Sequence, residues 1–225
     1  KRLLNNTFVN TKNIKKTVVE YGIKKPKINI KKLEKKFYTS FKILRNKKFF
    51  LYLGRFHKKK GCEILLKSMK MILSKNKKIY LLMAGPSNDY KTDLIKLSKK
   101  LGIEKNIIWS DFLKTDLKWA SILRCEAMVL SSHGENFGIS IIESLAMSRP
   151  VLITNKVNTA NYIKKTSSGF VSDDKINGFY KILRNFIKLS NKSKMKMRFN
   201  ALNCYIKYFN LVNSNNKLIS LLKKN

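Results

Sequence analysis

The chain is short of acidic residues, with 13 Asp and Glu against 49 Lys and Arg in 225 residues, which gives a net charge of +36. Cysteine is also scarce. The three cysteines at 62, 125 and 204 are odd in number and widely spaced, so they exclude a disulfide framework and fit no metal-ligand pattern. No apolar run approaches the length of a membrane-spanning helix, and the first residues contain no apolar signal-peptide core. These absences favour a reduced, cytoplasmic location.

The excess of positive charge has two interpretations. At face value it predicts a phosphate-rich partner, either nucleic acid or an anionic membrane. Lysine, however, is accompanied by many Asn and Ile and is spread over the whole chain, a composition that codon bias toward A and T also produces. A nucleic-acid surface should concentrate Lys and Arg on one face. We therefore expect no nucleic-acid partner, while basic helices would add a weak association with the inner face of a membrane.

Short apolar runs alternate with stretches of helical periodicity through the middle of the chain. The apolar runs predict strands at 49–54, 78–85, 106–109, 127–132, 150–154 and 169–172. The periodic stretches predict helices at 61–75, 92–102, 116–125 and 138–148, and the pattern is helical from Asp174 to the end. This alternation predicts an α/β fold, a Rossmann-like parallel sheet with helices on both faces and a helical C-terminal tail. Ligands of such sheets bind in the loops after the strands.

The loop LGRFHKKKG, at 53–61, follows the first predicted strand. Arg55 and Lys60 stand five positions apart, just after Gly54, and could close on a pyrophosphate. Arg supplies a bidentate fork and Lys a mobile point charge. In a chain so rich in lysine, a solvated basic loop is the alternative.

The loop HGENFG and the helix after it contain two glutamates, Glu135 and Glu143. Free amides at the start of this helix would favour an anionic ligand. Glu135 could simply complement the helix dipole as a cap. Glu143 stands among Ile and Leu, so we expect it to be partly buried and to need a partner. Ribose or sugar hydroxyls would serve, and a salt bridge to a nearby lysine is the alternative.

The loop WSDFLKTDL, at 109–117, contains aromatic residues that could flank a nucleotide base. Phe112 is the better candidate, with Asp111 and Leu113 beside it, whereas Trp109 is expected in the core. His133 lies in the glutamate-containing loop and could touch a ligand there. The chain contains no Walker A sequence, no H-E-x-x-H and no D-x-D pair for a metal-bound nucleotide sugar.

Together these segments carry a resemblance to an enzyme family. LGRFHKKKG, LLMAGP, NIIWSDFL, VLSSHGENFGISIIESLAMSRPVLIT and SSGFV occur in the family's order and spacing. Over roughly 17–190 the chain resembles the C-terminal, nucleotide-sugar-binding domain of retaining glycosyltransferases of the GT-B fold, the glycosyltransferase family 4 type. Each motif is weak alone, and the ordered set is specific.

The resemblance implies a role for each motif residue. Arg55 and Lys60, beside Gly54, would grip the donor diphosphate, and Glu135 would hydrogen-bond the transferred sugar, making these three the catalytic set. Glu143 would hold the ribose hydroxyls. Backbone amides would face the sugar and phosphate at Asn136, Phe137, Gly138 and Ile139. The donor would be UDP- or GDP-linked, the acceptor a glycan or lipid-linked sugar in polysaccharide or glycolipid assembly, and no metal or other cofactor would be needed.

The chain also departs from the family pattern. Asp111 stands where the family usually has Gly, and Ser131–Ser132 where it has Pro-Ser. Only 1–16 would remain of the N-terminal domain, 17–190 would bind the nucleotide sugar, and 191–225 would form helices that pack on the missing domain. We therefore expect an exposed apolar face in that tail. Alternatives are a GT-B epimerase or phosphorylase, for which acid–base residues or a pyridoxal-phosphate lysine are not identifiable, and a non-enzymatic basic module for RNA or membrane.

Overall fold

A six-stranded parallel sheet forms the centre of the protein, and the computed structural model describes residues 19–223. Its strands are β1 (Lys48–Leu53), β2 (Ile79–Ala84), β3 (Ile107–Ser110), β4 (Ala127–Leu130), β5 (Val151–Thr154) and β6 (Gly169–Ser172). The first helices are α1 (Ile30–Ser40), α2 (Cys62–Leu73), α3 (Asp89–Lys100) and α4 (Thr115–Arg124). The later helices are α5 (Ile139–Ala146), α6 (Ala160–Thr166), α7 (Ile176–Lys188), α8 (Asn191–Tyr208) and α9 (Leu211–Leu222).

The strand order is β3-β2-β1-β4-β5-β6, and every neighbouring pair is parallel. Both faces of the sheet are covered. Helix α2 contacts α3 and α7 in one layer, whereas α5 contacts α4 and α8 in the other. Consequently the central strands are mostly buried, as Phe49–Tyr52 in β1 and all of β4 illustrate. Continuous apolar runs, without alternation, are the sequence signature of such strands.

The predicted fold class is therefore confirmed, and each of the six predicted strands lies within two residues of its observed position. The helix predicted at 92–102 begins earlier, at Asp89, because the Asn88 side chain caps it by accepting the Lys91 amide at 3.0 Å. The sequence pattern predicts neither α1 nor α6. Both bury few apolar side chains, in α1 only Leu33 and Phe37, so few apolar positions mark them in the sequence. The proposed remnant at 1–16 lies outside the described residues.

The C-terminal helices connect back to the first described residues. Helix α8 packs on α5 and α6, and Tyr205 donates its hydroxyl to the Ile23 carbonyl at 2.8 Å. The outer side of α8 presents Met195, Phe199 and Ile206, which are 68%, 64% and 45% exposed. The expected apolar face of the tail is confirmed by these side chains. No helix in the described part of the chain combines the length and apolarity needed to cross a membrane.

The three cysteines are predicted to be unreactive in the folded protein. All are buried, and burial raises the pKa of the Cys62 thiol to about 11 and that of Cys125 to about 12; burial also raises the pKa of Cys204. Because the thiolate is the reactive form, alkylation near neutral pH should be slow until denaturant exposes the thiols. Mass spectrometry of iodoacetamide-treated protein measures this, and rapid labelling of the native protein would contradict the packing described.

Candidate functional site

Two adjoining clefts open at the carboxyl edge of the sheet, where the strand order reverses between β1 and β4. This switch point is the position at which doubly wound sheets bind their ligands. Both clefts share the end of β1, at Leu53–Arg55, and the start of α5, at Ile139 and Ser140. They differ in their remaining walls, and we name them the Lys60 cleft and the Glu143 cleft after those residues.

The loop between β1 and α2 is tied to the end of β4. Gly61 has a φ of 63°, and an added Cβ would meet the Ser131 carbonyl oxygen at 2.0 Å. The Ser131 hydroxyl donates to the Gly61 carbonyl at 2.7 Å, and the Ser132 hydroxyl donates to the Lys59 carbonyl at 2.9 Å. Ser131, which stands where the family usually has Pro, and Ser132 therefore make contacts that fix the loop. These contacts position Lys60 at the edge of β4.

The loop between β4 and α5 is held from the other side. The Glu135 amide donates to the Lys156 carbonyl at 3.1 Å, and the Asn158 amide donates to the Glu135 carbonyl at 3.0 Å. Gly138, with a φ of 71°, then turns the chain into α5. Within residues 19–223, the amides of Ile139 and Ser140 have no acceptor. Both residues line the shared part of the clefts, and free amides at a helix start favour an anionic ligand.

The Lys60 cleft has a volume of about 440 Å³. Its charged residues are Arg55, Lys60 and Glu135, and residues 136–140 complete its wall. Lys60 forms an ion pair with Glu135, and each side chain is about one-fifth exposed, at 20% and 19%. The hydrogen bond of the Glu135 carboxylate goes to Lys60 and not to an amide of α5. Arg55 has no carboxylate partner in the described part of the chain.

The Glu143 cleft also has a volume of about 440 Å³ and is more apolar. Its apolar walls include Pro86, Phe112, Leu113 and Ile139. Phe112 is 66% exposed, which leaves its ring accessible to a ligand. Glu143 is only 12% exposed, as predicted, and Lys118 of α4 donates to its Oε1 at 2.5 Å. The alternative of a lysine partner for Glu143 is confirmed.

Two predicted site residues point their side chains elsewhere. The His133 ring contacts Asp174 at 2.9 Å, a hydrogen bond that lowers the pKa of that carboxyl, and His133 lines neither cleft. Asp111 accepts a hydrogen bond from Lys91 at 2.7 Å, which lowers the pKa of Asp111, and its side chain lies outside both cleft walls. Asp111 therefore fixes the loop that presents Phe112 instead of lining the pocket itself.

Lys118 is the charged cleft residue that sequence reasoning missed. It lies within a helix that carries no recognised motif, among many other lysines, so its spacing gives no signal. Trp109, expected in the core, packs its ring on Phe56 with centroids 5.8 Å apart. No group of three or more His, Cys, Asp or Glu that could hold a metal ion occurs between residues 19 and 223.

A family model described as glycosyl transferases group 1 matches residues 35–203, a range that contains both clefts. The uncharacterized glycosyltransferase MJ1607 of Methanocaldococcus jannaschii is 29% identical over 134 residues, 59% of this chain and 34% of the relative. The capsular polysaccharide biosynthesis glycosyltransferase CapM of Staphylococcus aureus is 25% identical over 169 residues, 73% of this chain and 42% of the relative. The chain thus spans less than half the length of these curated relatives.

Solved structures share the fold at lower identity. A glycosyltransferase from Rickettsia africae superposes with a TM-score of 0.81 at 19% identity, covering 92% of this chain and 56% of that chain. Anabaena Alr3699/HepE, solved in complex with UDP and glucose, superposes with a TM-score of 0.78 at 17% identity, covering 91% of this chain and 56% of that chain. These likenesses show a Rossmann-like fold of the GT-B type.

Gly61→Ala is predicted to destabilise the protein by more than about 1 kcal/mol, because it places a Cβ in a left-handed backbone conformation and against the Ser131 carbonyl. The matched control is Gly134→Ala, whose Cβ would meet only the flexible end of Lys59, at 3.0 Å. Denaturant unfolding of both variants measures the difference. Equal free energies of unfolding would show that the loop is not held against β4 in this way.

Proposed function

The chain belongs to the family of group 1 glycosyl transferases, and from that premise we propose that it binds a nucleotide-diphosphate sugar across its two clefts. The observation that carries this proposal is that Arg55 and the open α5 amides lie where the clefts join, with Lys60 beside them on the wall of one cleft. A diphosphate placed there would have a nucleoside on one side and a sugar on the other. The enzyme is proposed to be a hexosyltransferase of the glycosyltransferase family 4 type.

The diphosphate is proposed to bind between Arg55 and Lys60. The Arg55 guanidinium is free of protein carboxylates in residues 19–223 and can take two phosphate oxygens as a fork. The amides of Ile139 and Ser140 add the positive end of the α5 dipole. Lys60 would exchange its contact with Glu135 for the more highly charged phosphates. That exchange would free the Glu135 carboxylate to accept hydrogen bonds from the transferred sugar.

The nucleoside is proposed to occupy the Glu143 cleft. Phe112 and Ile139 are exposed apolar side chains on its walls, at 66% and 56%, and could flank a base. The Glu143 carboxylate would accept hydrogen bonds from the ribose hydroxyls. UDP and GDP are the two nucleotides proposed. The UDP found in the HepE structure supports the placement of a nucleoside diphosphate in this fold.

Transfer is proposed to proceed with retention and without a covalent intermediate on the protein. The bond between the sugar C1 and the phosphate oxygen breaks while the acceptor hydroxyl forms a new C1–O bond on the same face. The hydroxyl proton passes to the departing phosphate oxygen. Arg55, Lys60 and the α5 amides stabilise the negative charge that develops on the diphosphate. The acceptor is proposed to be a glycan or a lipid-linked sugar, because CapM, a relative, is named for capsular polysaccharide biosynthesis.

We also propose that the protein is cytoplasmic and that it associates weakly with an anionic membrane through the outer side of α8. Residues 175–225 contain 12 Lys and Arg and no Asp or Glu. Met195, Phe199 and Ile206 recur at helical spacing on the exposed side of α8. Exposed apolar side chains and basic residues would each favour contact with an anionic lipid surface.

Calorimetry of UDP and GDP binding tests the donor site. One of the two nucleotides is expected to bind in the micromolar range, and Arg55→Ala and Glu143→Ala should each weaken it by about tenfold or more, the loss of one charge-assisted contact. Arg184→Ala and Glu104→Ala are matched controls, since both residues are exposed and lie outside the clefts. Absence of binding to the folded chain, or equal losses in the controls, would contradict the proposal.

Vesicle sedimentation tests the membrane proposal. Binding to vesicles of anionic phospholipid should fall with added salt, and Phe199→Ser should weaken it by roughly tenfold through the lost apolar burial. Ile43→Ser is the control, because Ile43 is 54% exposed but lies far along the chain from α8. Vesicle binding that does not change with salt, or that both variants reduce equally, would exclude the outer side of α8 as the membrane-binding surface.

A further inference from the structure

The two lysine–glutamate pairs of the site are not equivalent. Lys60 lies beside Arg55 in the cleft proposed for the diphosphate and sugar, so a phosphate can draw it away from Glu135. Lys118 lines only the Glu143 cleft, with the apolar residues proposed to hold the base. No phosphate is placed next to it, and its contact with Glu143 can persist when the donor is bound.

Lys118 is held in place by its own surroundings. Its ammonium lies 4.4 Å from the centroid of the Trp119 ring, a distance at which a cation is attracted to an aromatic face. The side chain is 27% exposed, so the pair with Glu143 is partly shielded from water. A partly shielded pair is screened less by salt than an exposed one. Lys118 is thus a fixed donor and not a mobile surface lysine.

The pair engages only half of the Glu143 carboxylate. Lys118 donates to Oε1, whereas Oε2 has no protein partner in the part of the chain that the structure describes. A carboxylate with one oxygen fixed has lost most of its rotational freedom but keeps acceptor capacity on the other. Two vicinal hydroxyls of a ribose are donors suited to such a carboxylate. The site therefore has a fixed acceptor for them before any nucleotide arrives.

We propose that Lys118 is the positioning residue for ribose recognition, acting through Glu143. This inference rests on the proposed function, since it assumes that a nucleotide occupies the Glu143 cleft. Removing Lys118 would leave a carboxylate that is 12% exposed without its cation, and the side chain would reorient toward water to recover solvation. The hydrogen bonds to the ribose would then be lost, although Glu143 itself remains.

The test compares a nucleoside diphosphate with the analogue whose ribose lacks both hydroxyls. UDP or GDP, whichever binds, is titrated into wild-type protein, Lys118→Met, Lys118→Arg and Glu143→Gln. Lys118→Met should weaken binding of the natural nucleotide by about tenfold but binding of the analogue by less than about twofold. The reason is that Lys118 supports the contact of Glu143 with the ribose hydroxyls, which the analogue lacks. Lys118→Arg should restore most of the affinity, since it keeps the positive charge and reach.

Lys114→Met is the matched control for long-range charge, since Lys114 is an exposed lysine next to the same helix. Lys114→Met should change the affinity for the nucleoside diphosphate and for its analogue by no more than about twofold. Equal weakening of both nucleotides by Lys118→Met, with thermal melts showing folded protein, would overturn the positioning role and leave the donor site intact. Failure of wild-type protein to bind either nucleotide would instead overturn the proposed function and this inference with it.

Discussion

The reversal of strand order between β1 and β4 is the constraint on which the site depends. Helix α2 leaves β1 on one side of the sheet and α5 leaves β4 on the other, so the loops that lead into them diverge and leave a crevice. The hydrogen bonds of Ser131 and Ser132 to the Gly61 and Lys59 carbonyls then set how far those loops can separate. The clefts are a consequence of topology, narrowed by local contacts.

The chain has few acidic residues, and two of them lie in that crevice. Only 13 carboxylate side chains occur in the chain, yet Glu135 and Glu143 both lie in the clefts and each has a lysine partner. The pairing gives each of these partly buried carboxylates a cation partner. In our account one pair exchanges partners when phosphate arrives, and the other holds its geometry. The same residue types thus have different roles because their neighbours differ.

The sequence predicts most of the fold and the motif residues, because continuous apolar strands and glycine-bounded loops are local signals. It predicts α1 poorly, since only Leu33 and Phe37 mark its buried side. The direction in which side chains point is predicted less well than the fold. His133 stands in the correct loop but contacts Asp174, and Lys118 comes to Glu143 from a different helix. Contacts between elements distant in sequence are decided by packing, which a single sequence does not encode as a pattern.

A crystal structure of the protein with its nucleoside diphosphate would test the central claim most directly, namely that the two clefts form one donor site. We expect the diphosphate to contact Arg55 and the amides of Ile139 and Ser140, and the ribose hydroxyls to bind Glu143 while Lys118 stays in contact with that carboxylate. A nucleotide bound outside the clefts, on the lysine-rich surface, would contradict it. So would a diphosphate at Arg55 whose ribose lies away from Glu143.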